Sequence, residues 1–555
     1  MIRWRLTLAA LLLGFLAVPL AAPLGLLAGD PSAWLSWAEA PRWLTLARNT
    51  CLLLLGTLAV SMPLGVAAAV LLYRTDLPGR HLWRLVTLLT LFVPLPLFTS
   101  GWQAMLGSGG WLPLPGWSDT AQGGTRVSPV IAQWTPWGQG IGSAIWIHSV
   151  AALPWVILLA GQGLSWVERE LEEDARMLMP TWLVLLRVTL PRAGAAIGAA
   201  ALWVSLQTAT EISVTDVMQV RTFAEEVYTQ IVGGPELEEG VARASASTLP
   251  FVLLAIVMVG VVARRWERRL PPRATLLTPL LPFRLGLWRW PFALLVGGLA
   301  GTLLAVPLAS LFWRAGRVGT PPHWSAETMF LYLRQAIRPP DGLMLRDSLL
   351  LAGVAGLLVA ALALLACWAA RESRGFRSGL LVLMAAAWAM PGPLIGLGLK
   401  TIIDRLLSLT ESRWLAQALY HGPSPLPLLW IDAIRFFPCA VAVLWPAARL
   451  MPAELTDAAR VDCATPIQEL RHIVWPILSS VFARAALAVA VLSLGEVSAG
   501  KLVATPGMPS YATDIFTQMH YGVTNELAAR CVLLLVLVAA GGAGVAVIGW
   551  RLEKK

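Results

Sequence analysis

Charge is scarce in this chain. Only 13% of its 555 residues are Asp, Glu, Lys or Arg, about half the share of an ordinary soluble domain, so a water-soluble globular protein is excluded. Cysteine is sparse too. The five cysteines, Cys51, Cys367, Cys439, Cys463 and Cys531, are dispersed with no C-x-x-C pair, which leaves neither a zinc ribbon nor a disulfide framework. All but Cys463 lie in or beside apolar runs, where cysteine acts as a small hydrophobe. The six histidines, His148 and His472 among them, form no ligand cluster in the sequence; H-E-x-x-H, G-x-S-x-G and paired catalytic carboxylates are missing as well. No cofactor or metal site is expected, and no catalytic residue.

What remains is oil. Hydrophobic residues make up 57% of the chain and the mean hydropathy is +0.68. Apolar runs of about 20 residues recur, each long enough to cross about 30 Å of hydrocarbon as a helix that satisfies its own backbone. Twelve are expected, near 6–28, 50–72, 84–106, 142–163, 194–212, 243–263, 291–313, 348–370, 379–401, 427–448, 478–499 and 528–550. The net charge of +10 is spread between these runs, which suits a topological signal better than a nucleic-acid partner. If the spans alternate, Arg3 and Arg5, Arg74 to Arg84, Arg264 to Arg273, Arg371 to Arg377, and Arg551 with Lys554 and Lys555 share one side. That side is expected to be the cytoplasm, with both termini in it. Arg314, Arg317, Arg334 and Arg338 fall opposite and make the bias a majority. Residues 1–28 also resemble a signal peptide, but the apolar run is longer than the 7–15 residues of such cores. The 27 tryptophans, such as Trp102, Trp111, Trp134, Trp137, Trp288 and Trp290, cluster near span ends as an interfacial belt.

The second half of the chain echoes the first. "RNTCLLLLG" from Arg48 aligns with "RDSLLLAGV" from Arg346, "VPLPLF" from Val93 with "MPGPLI" from Met390, and "IWIHSVAALPWVILL" from Ile145 with "LWIDAIRFFPCAVAV" from Leu429, at offsets of 298, 297 and 284. Copies six spans apart share an orientation, so the pattern predicts a parallel six-plus-six duplication, with halves at 1–275 and 276–555 and an Arg- and Pro-rich linker near 264–290. Each half carries one polar segment between its fourth and fifth spans, at 170–192 and 454–477. "ELEEDARM" and "ELTDAARV" open these segments with acids in a helix-favouring context, and Pro180 and Pro466 are expected to stop them. Two equivalent helices on the cytoplasmic face would present paired knobs to a two-fold partner.

The stretch Asp457-Ala458-Ala459-Arg460 through Cys463 to Pro476 resembles the EAA loop of ABC-importer permeases, whose pattern is an acid, two alanines, a later Gly and a closing Leu-Pro. Glu173-Asp174-Ala175-Arg176 to Leu190-Pro191 is similar with one residue deleted. "LYRTDLPGRHLWRL" from Leu72, "MLGSGGWL" from Met105 and "LGEVSAGKLVATPG" from Leu494 further resemble fused, two-copy permeases of the ferric-iron type, over essentially the whole chain. The resemblance implies an all-α type I importer fold in a bacterial inner membrane. It also implies two ATPase subunits docked on Glu173, Ala175, Arg176 and on Asp457, Ala458, Ala459, Arg460, Cys463, and a periplasmic or lipid-anchored binding protein. Ferric iron is the first cargo it suggests, then thiamine, polyamines or phosphonates. The family's loop Gly is Cys463 in one copy and Met179 or Pro180 in the other, and Asp174 replaces an Ala, so coupling through the first loop is expected to be the weaker.

Two features compete. "GEVSAGKL" from Gly495 approaches a P-loop, but Leu502 stands where Ser or Thr would hold magnesium, so hydrolysis is expected in a separate subunit. "TDLPGR" resembles a loop signature of twelve-helix secondary transporters, with Leu77 in place of its basic residue. Glu211 and Glu496, 285 residues apart at the outer ends of two spans, are candidates for the translocation pathway, because intramembrane carboxylates face cavities or partners.

Overall fold

The computed structural model describes residues 2–38, 40–91, 93–106, 140–233, 237–268, 282–319, 323–519, 521 and 523–553. Trp111, Trp134, Trp137, most of "MLGSGGWL", the centre of the linker with Arg269 and Arg273, and Lys554 and Lys555 lie outside the described residues, as does the side chain of Arg460. The described chain is almost wholly helical. Nine of its helices are long and apolar enough to cross a bilayer alone: Trp4–Gly29, Pro41–Arg74, Ile141–Ser165, Glu238–Arg265, Gly286–Ala315, Asp341–Glu372, Leu426–Leu450, Pro466–Ser493 and Asn525–Gly544. Three bent pairs supply the remaining apolar runs, bringing the total to twelve. This is an all-α, multi-pass integral membrane protein.

The bends correct the expectation of twelve straight spans. Arg80–Leu91 meets Leu95–Met105 at 102°, and Arg374–Ala389 meets Gly392–Thr410 at 111°. Pro94 and Pro391 sit at these corners; each lacks an N–H and drives its predecessor out of the helical region. A limb of twelve residues is only about 18 Å long and cannot span by itself. The run at 194–212 is the second limb of the third pair, Thr181–Arg192 with Gly194–Thr210, which turns by 63° at Ala193.

Proline also shapes two straight spans. A π-helical turn covers Leu13–Ala17 and another Gly301–Ala305, each followed by Val-Pro, at Val18-Pro19 and Val306-Pro307. A widened turn takes up the ring that would otherwise press on the preceding carbonyl. The shared "LAVPL", at Leu16 and Leu304, is a sequence signal that the search for repeats overlooked.

The first span does not pack with its neighbours in sequence. Trp4 stacks on Trp368 at 4.3 Å, Arg5 pairs with Glu372, and Phe15 stacks on Trp430, whose indole N–H donates to the Phe15 carbonyl. Farther along, Pro19 and Pro23 lie against Gly398. The span at 286–315 crosses the other way. Pro307 lies against Gly101, where a Cβ would come within 2.7 Å of its Cα, and Trp83 rests on Gly297. With no hydrophobic drive between helices in lipid, such close approach at small residues is what holds spans together. Gly65 against Val156, Gly161 against Tyr73 and Gly356 against the Ala486 backbone do the same within the bundle.

Candidate functional site

A cavity of about 190 Å³ opens where residues before 230 meet residues after 430, and both Glu211 and Glu496 line it. The two carboxylates sit at helix breaks of the same design. The Gly194–Thr210 helix ends and Glu211 is extended, at φ −89° and ψ 137°, before a short turn at Ser213–Val217. Its Oε1 accepts the Ser213 N–H at 2.7 Å and the Ser213 hydroxyl, and its Oε2 accepts the Val214 N–H at 3.1 Å. Glu496 follows the Pro466–Ser493 helix and precedes the turn at Gly500–Val503. Its Oε1 accepts the Ala499 N–H at 2.8 Å and the Ser498 hydroxyl at 3.0 Å. "EISV" and "EVSA" are therefore one device, a carboxylate that satisfies the free donors of the turn it introduces.

Basic side chains complete the wall. The Arg435 Nε lies 3.3 Å from Glu496 Oε2, and His148 Nε2 lies 3.9 Å from Glu211 Oε2. The Lys501 ammonium sits 5.3 Å from the Tyr228 ring centre and 5.2 Å from that of Phe516, and the Tyr228 hydroxyl donates to the Ser498 carbonyl at 3.5 Å. Sequence reasoning missed Arg435, Lys501, His148 and Tyr228. Arg435 had a readable signal, a cation inside an apolar run, which seldom lies there without a partner. Lys501 was met only as part of a failed P-loop, and the structure puts it on a single helical turn with no strand before it.

The polar segments fold as two short helices, Arg169–Leu178 and Ala453–Val461. Ala175 and Ala459 face inward, while Glu173, Asp457 and Ala458 are exposed. Glu173 takes an N–H from Arg169 at 2.7 Å, and the Arg176 guanidinium lies 4.8 Å from the Phe283 ring centre. Arg460 is in the helix. Cys463 is exposed and left-handed at φ +54°, the conformation a Gly would adopt freely. In the first segment Met179 and Pro180 are both extended, so that loop turns without a left-handed residue. Pro180 follows its helix as expected. Pro466 does not stop the second helix, which ends at Val461; it opens the next one, behind a Thr465–Gln468 capping box that satisfies the free N–H groups.

Each polar segment contains a buried carboxylate. Glu172 accepts from Arg74 and, at 2.7 Å, from the Thr189 hydroxyl, while Arg74 also donates to the Leu164 carbonyl at 3.0 Å. In the second segment Glu469, on the Pro466–Glu469 helix, accepts the Trp368 indole N–H at 3.2 Å. The exposed faces mix acids with apolar groups: Met177 and Leu178 are each 85% exposed and Val461 82%, and Ile467, on the helix that follows, is 77% exposed. No family model matches the chain, and no curated protein matches it in sequence.

Proposed function

We propose that the chain is the membrane-spanning permease of an ATP-driven, binding-protein-dependent importer of the type I ABC class, with both six-helix halves in one polypeptide in a bacterial inner membrane. The observation that carries this is the pair of short helices, 284 residues apart from Glu173 to Asp457, each with an alanine, Ala175 or Ala459, turned inward and with acids and apolar groups exposed side by side. Each suits the groove of one ATPase subunit. The duplication is supported by the proline corners at Pro94 and Pro391, by the Val-Pro turns at Pro19 and Pro307, and by the reciprocal contacts of Gly101 and Gly398 with those prolines. A charged cavity where the halves meet is where duplicated transporters place their cargo.

In this mechanism a periplasmic or lipid-anchored binding protein delivers cargo to the outer face and closure of two ATPases pushes on the loops. Helix ends then re-seat around the cavity, biasing one of two packings. Hydrolysis belongs to the partners; the chain itself is not an enzyme. Ferric iron is the cargo the resemblance favours, with thiamine, polyamines and phosphonates as alternatives.

The test is gentle co-purification of the tagged chain from native membranes with mass spectrometry of its companions. Recovery of an ATPase at two copies per chain, with a binding protein, is expected. Recovery of the chain alone, active in uptake without ATP, would instead make it an ion-coupled secondary transporter and reduce the loops to connectors.

A further inference from the structure

Most of the acceptor capacity of the cavity's two carboxylates is already taken. Both oxygens of Glu211 already accept backbone or hydroxyl donors, and Glu496 divides its oxygens between the Ala499 and Ser498 donors and Arg435. A bare cation would compete with these donors, and each buried N–H that it displaced would cost about 1–3 kcal/mol. Among the described residues, no group of three or more His, Cys, Asp or Glu could hold a metal ion.

The open chemistry has the opposite sign. Among the described residues no carboxylate pairs with Lys501, whose ammonium rests only on the two aromatic rings. Ring faces attract a cation but take up none of its three hydrogen-bond donors. His148, 3% exposed and lining the same cavity, has no hydrogen-bond partner at Nε2. Arg435 pairs with Glu496 and Glu211 is held by the Ser213 and Val214 donors, so the exposed Lys501 is the charged side chain with hydrogen-bonding capacity left to meet a cargo.

We infer that the cavity admits its cargo as an anion, through a phosphonate, phosphate or carboxylate group that Lys501 recognises from the second half across from His148 in the first. This rests on the importer reading and narrows its cargo. Phosphonates fit directly. Ferric iron fits only as an anionic complex, wrapped in citrate or phosphate oxygens, and thiamine and polyamines, being cations, do not fit. A volume of about 190 Å³ leaves ample room for an oxyanion group, since by the same measure a water needs only about 10–15 Å³.

The chain has only four lysines, Lys400, Lys501, Lys554 and Lys555, so each can be followed separately. The full-length chain in nanodiscs is acylated with an amine-reactive acetyl ester at constant ionic strength, and peptide mass spectrometry reads the rate at each lysine. Methylphosphonate, citrate and ferric citrate are compared with thiamine and hexamethonium. At about twice the Kd of a bound anion, Lys501 is expected to react about threefold more slowly, with Lys400 unchanged and the cations without effect. Lys501→Arg should keep binding of radiolabelled citrate or methylphosphonate in equilibrium dialysis, and Lys501→Gln should lose it. Indifference of Lys501 to every anion, or protection by thiamine or hexamethonium, would overturn the inference. No ATPase or binding protein is present in this assay, so failure of the co-purification would sink the importer reading and leave this result standing.

Discussion

Cys463 holds a left-handed backbone with a side chain that resists it. That conformation costs a non-glycine residue about 1–2 kcal/mol, and the position is exposed, with only its own Val461 carbonyl near the thiol. Cys463→Gly is therefore expected to steady the second loop by about 1 kcal/mol, after the greater flexibility of unfolded Gly is subtracted. Slower hydrogen exchange over 455–470 would show it; unchanged or faster exchange would mean that the turn is unstrained. Glu225, in the Phe223–Gly233 helix outside the spans, has its carboxyl pushed up to about 7, first by burial and then by Asp216. A raised carboxyl stabilises the fold most below its unfolded value of 4.5, and that contribution fades as pH climbs through about 7. Glu225→Gln should accordingly flatten the decline in thermal midpoint between pH 5 and pH 8. A variant with the wild-type slope would assign the decline to other groups.

At the scale of helices, membrane packing turns on where a side chain is missing. Gly356 lies where a Cβ would run into the Ala486 carbonyl oxygen, whereas Gly353, one turn away on the same helix, has nothing within 4 Å. Gly356→Leu should separate the Asp341–Glu372 and Pro466–Ser493 helices and lower the thermal midpoint in detergent by several degrees, the scale of about 2–3 kcal/mol in a large protein. Gly353→Leu faces open space and should be neutral; equal losses would refute the packing assigned here. The loop helices are fixed differently on their two inner sides. Arg74 and Glu172, both fully buried, form an ion pair under the first, and breaking such a pair from one side costs about 3–5 kcal/mol. Thr456, at the corresponding place in the second, bonds only its own helix at Ala453.

Across the whole molecule, the spans Trp4–Gly29 and Gly286–Ala315 each pack on residues from the far end of the chain, Trp368, Trp430 and Gly398 for the one and Gly101 and Trp83 for the other. On the proposed importer reading, reversing charge at Asp457 and Arg460 together is expected to abolish cargo-stimulated ATP hydrolysis by the chain with its ATPases, while insertion is unchanged. The same reversal at Glu173 and Arg176 should cost less, because the first loop departs further from the family pattern. Transport that survives the first double variant would end the importer reading. Equal losses at the two loops would show that the missing Gly matters less than the rest of the loop.

The sequence by itself determined that this chain lives in a membrane as helices, and roughly where each begins and ends, because apolar length and backbone satisfaction in lipid leave no other solution. It also marked the polar segments, whose charge is conspicuous in such surroundings, and singled out Glu211 and Glu496 for the same reason. The tertiary structure alone decided that these two glutamates share a cavity with Arg435, Lys501 and His148. It also decided that Pro94 and Pro391 fold two spans into corners and that Trp4 and Phe15 pack on residues more than 350 positions away. Hydropathy reads how long a helix stays in oil; which helix lies beside it depends on small residues meeting backbone and rings, and that complementarity is invisible until both surfaces are in place.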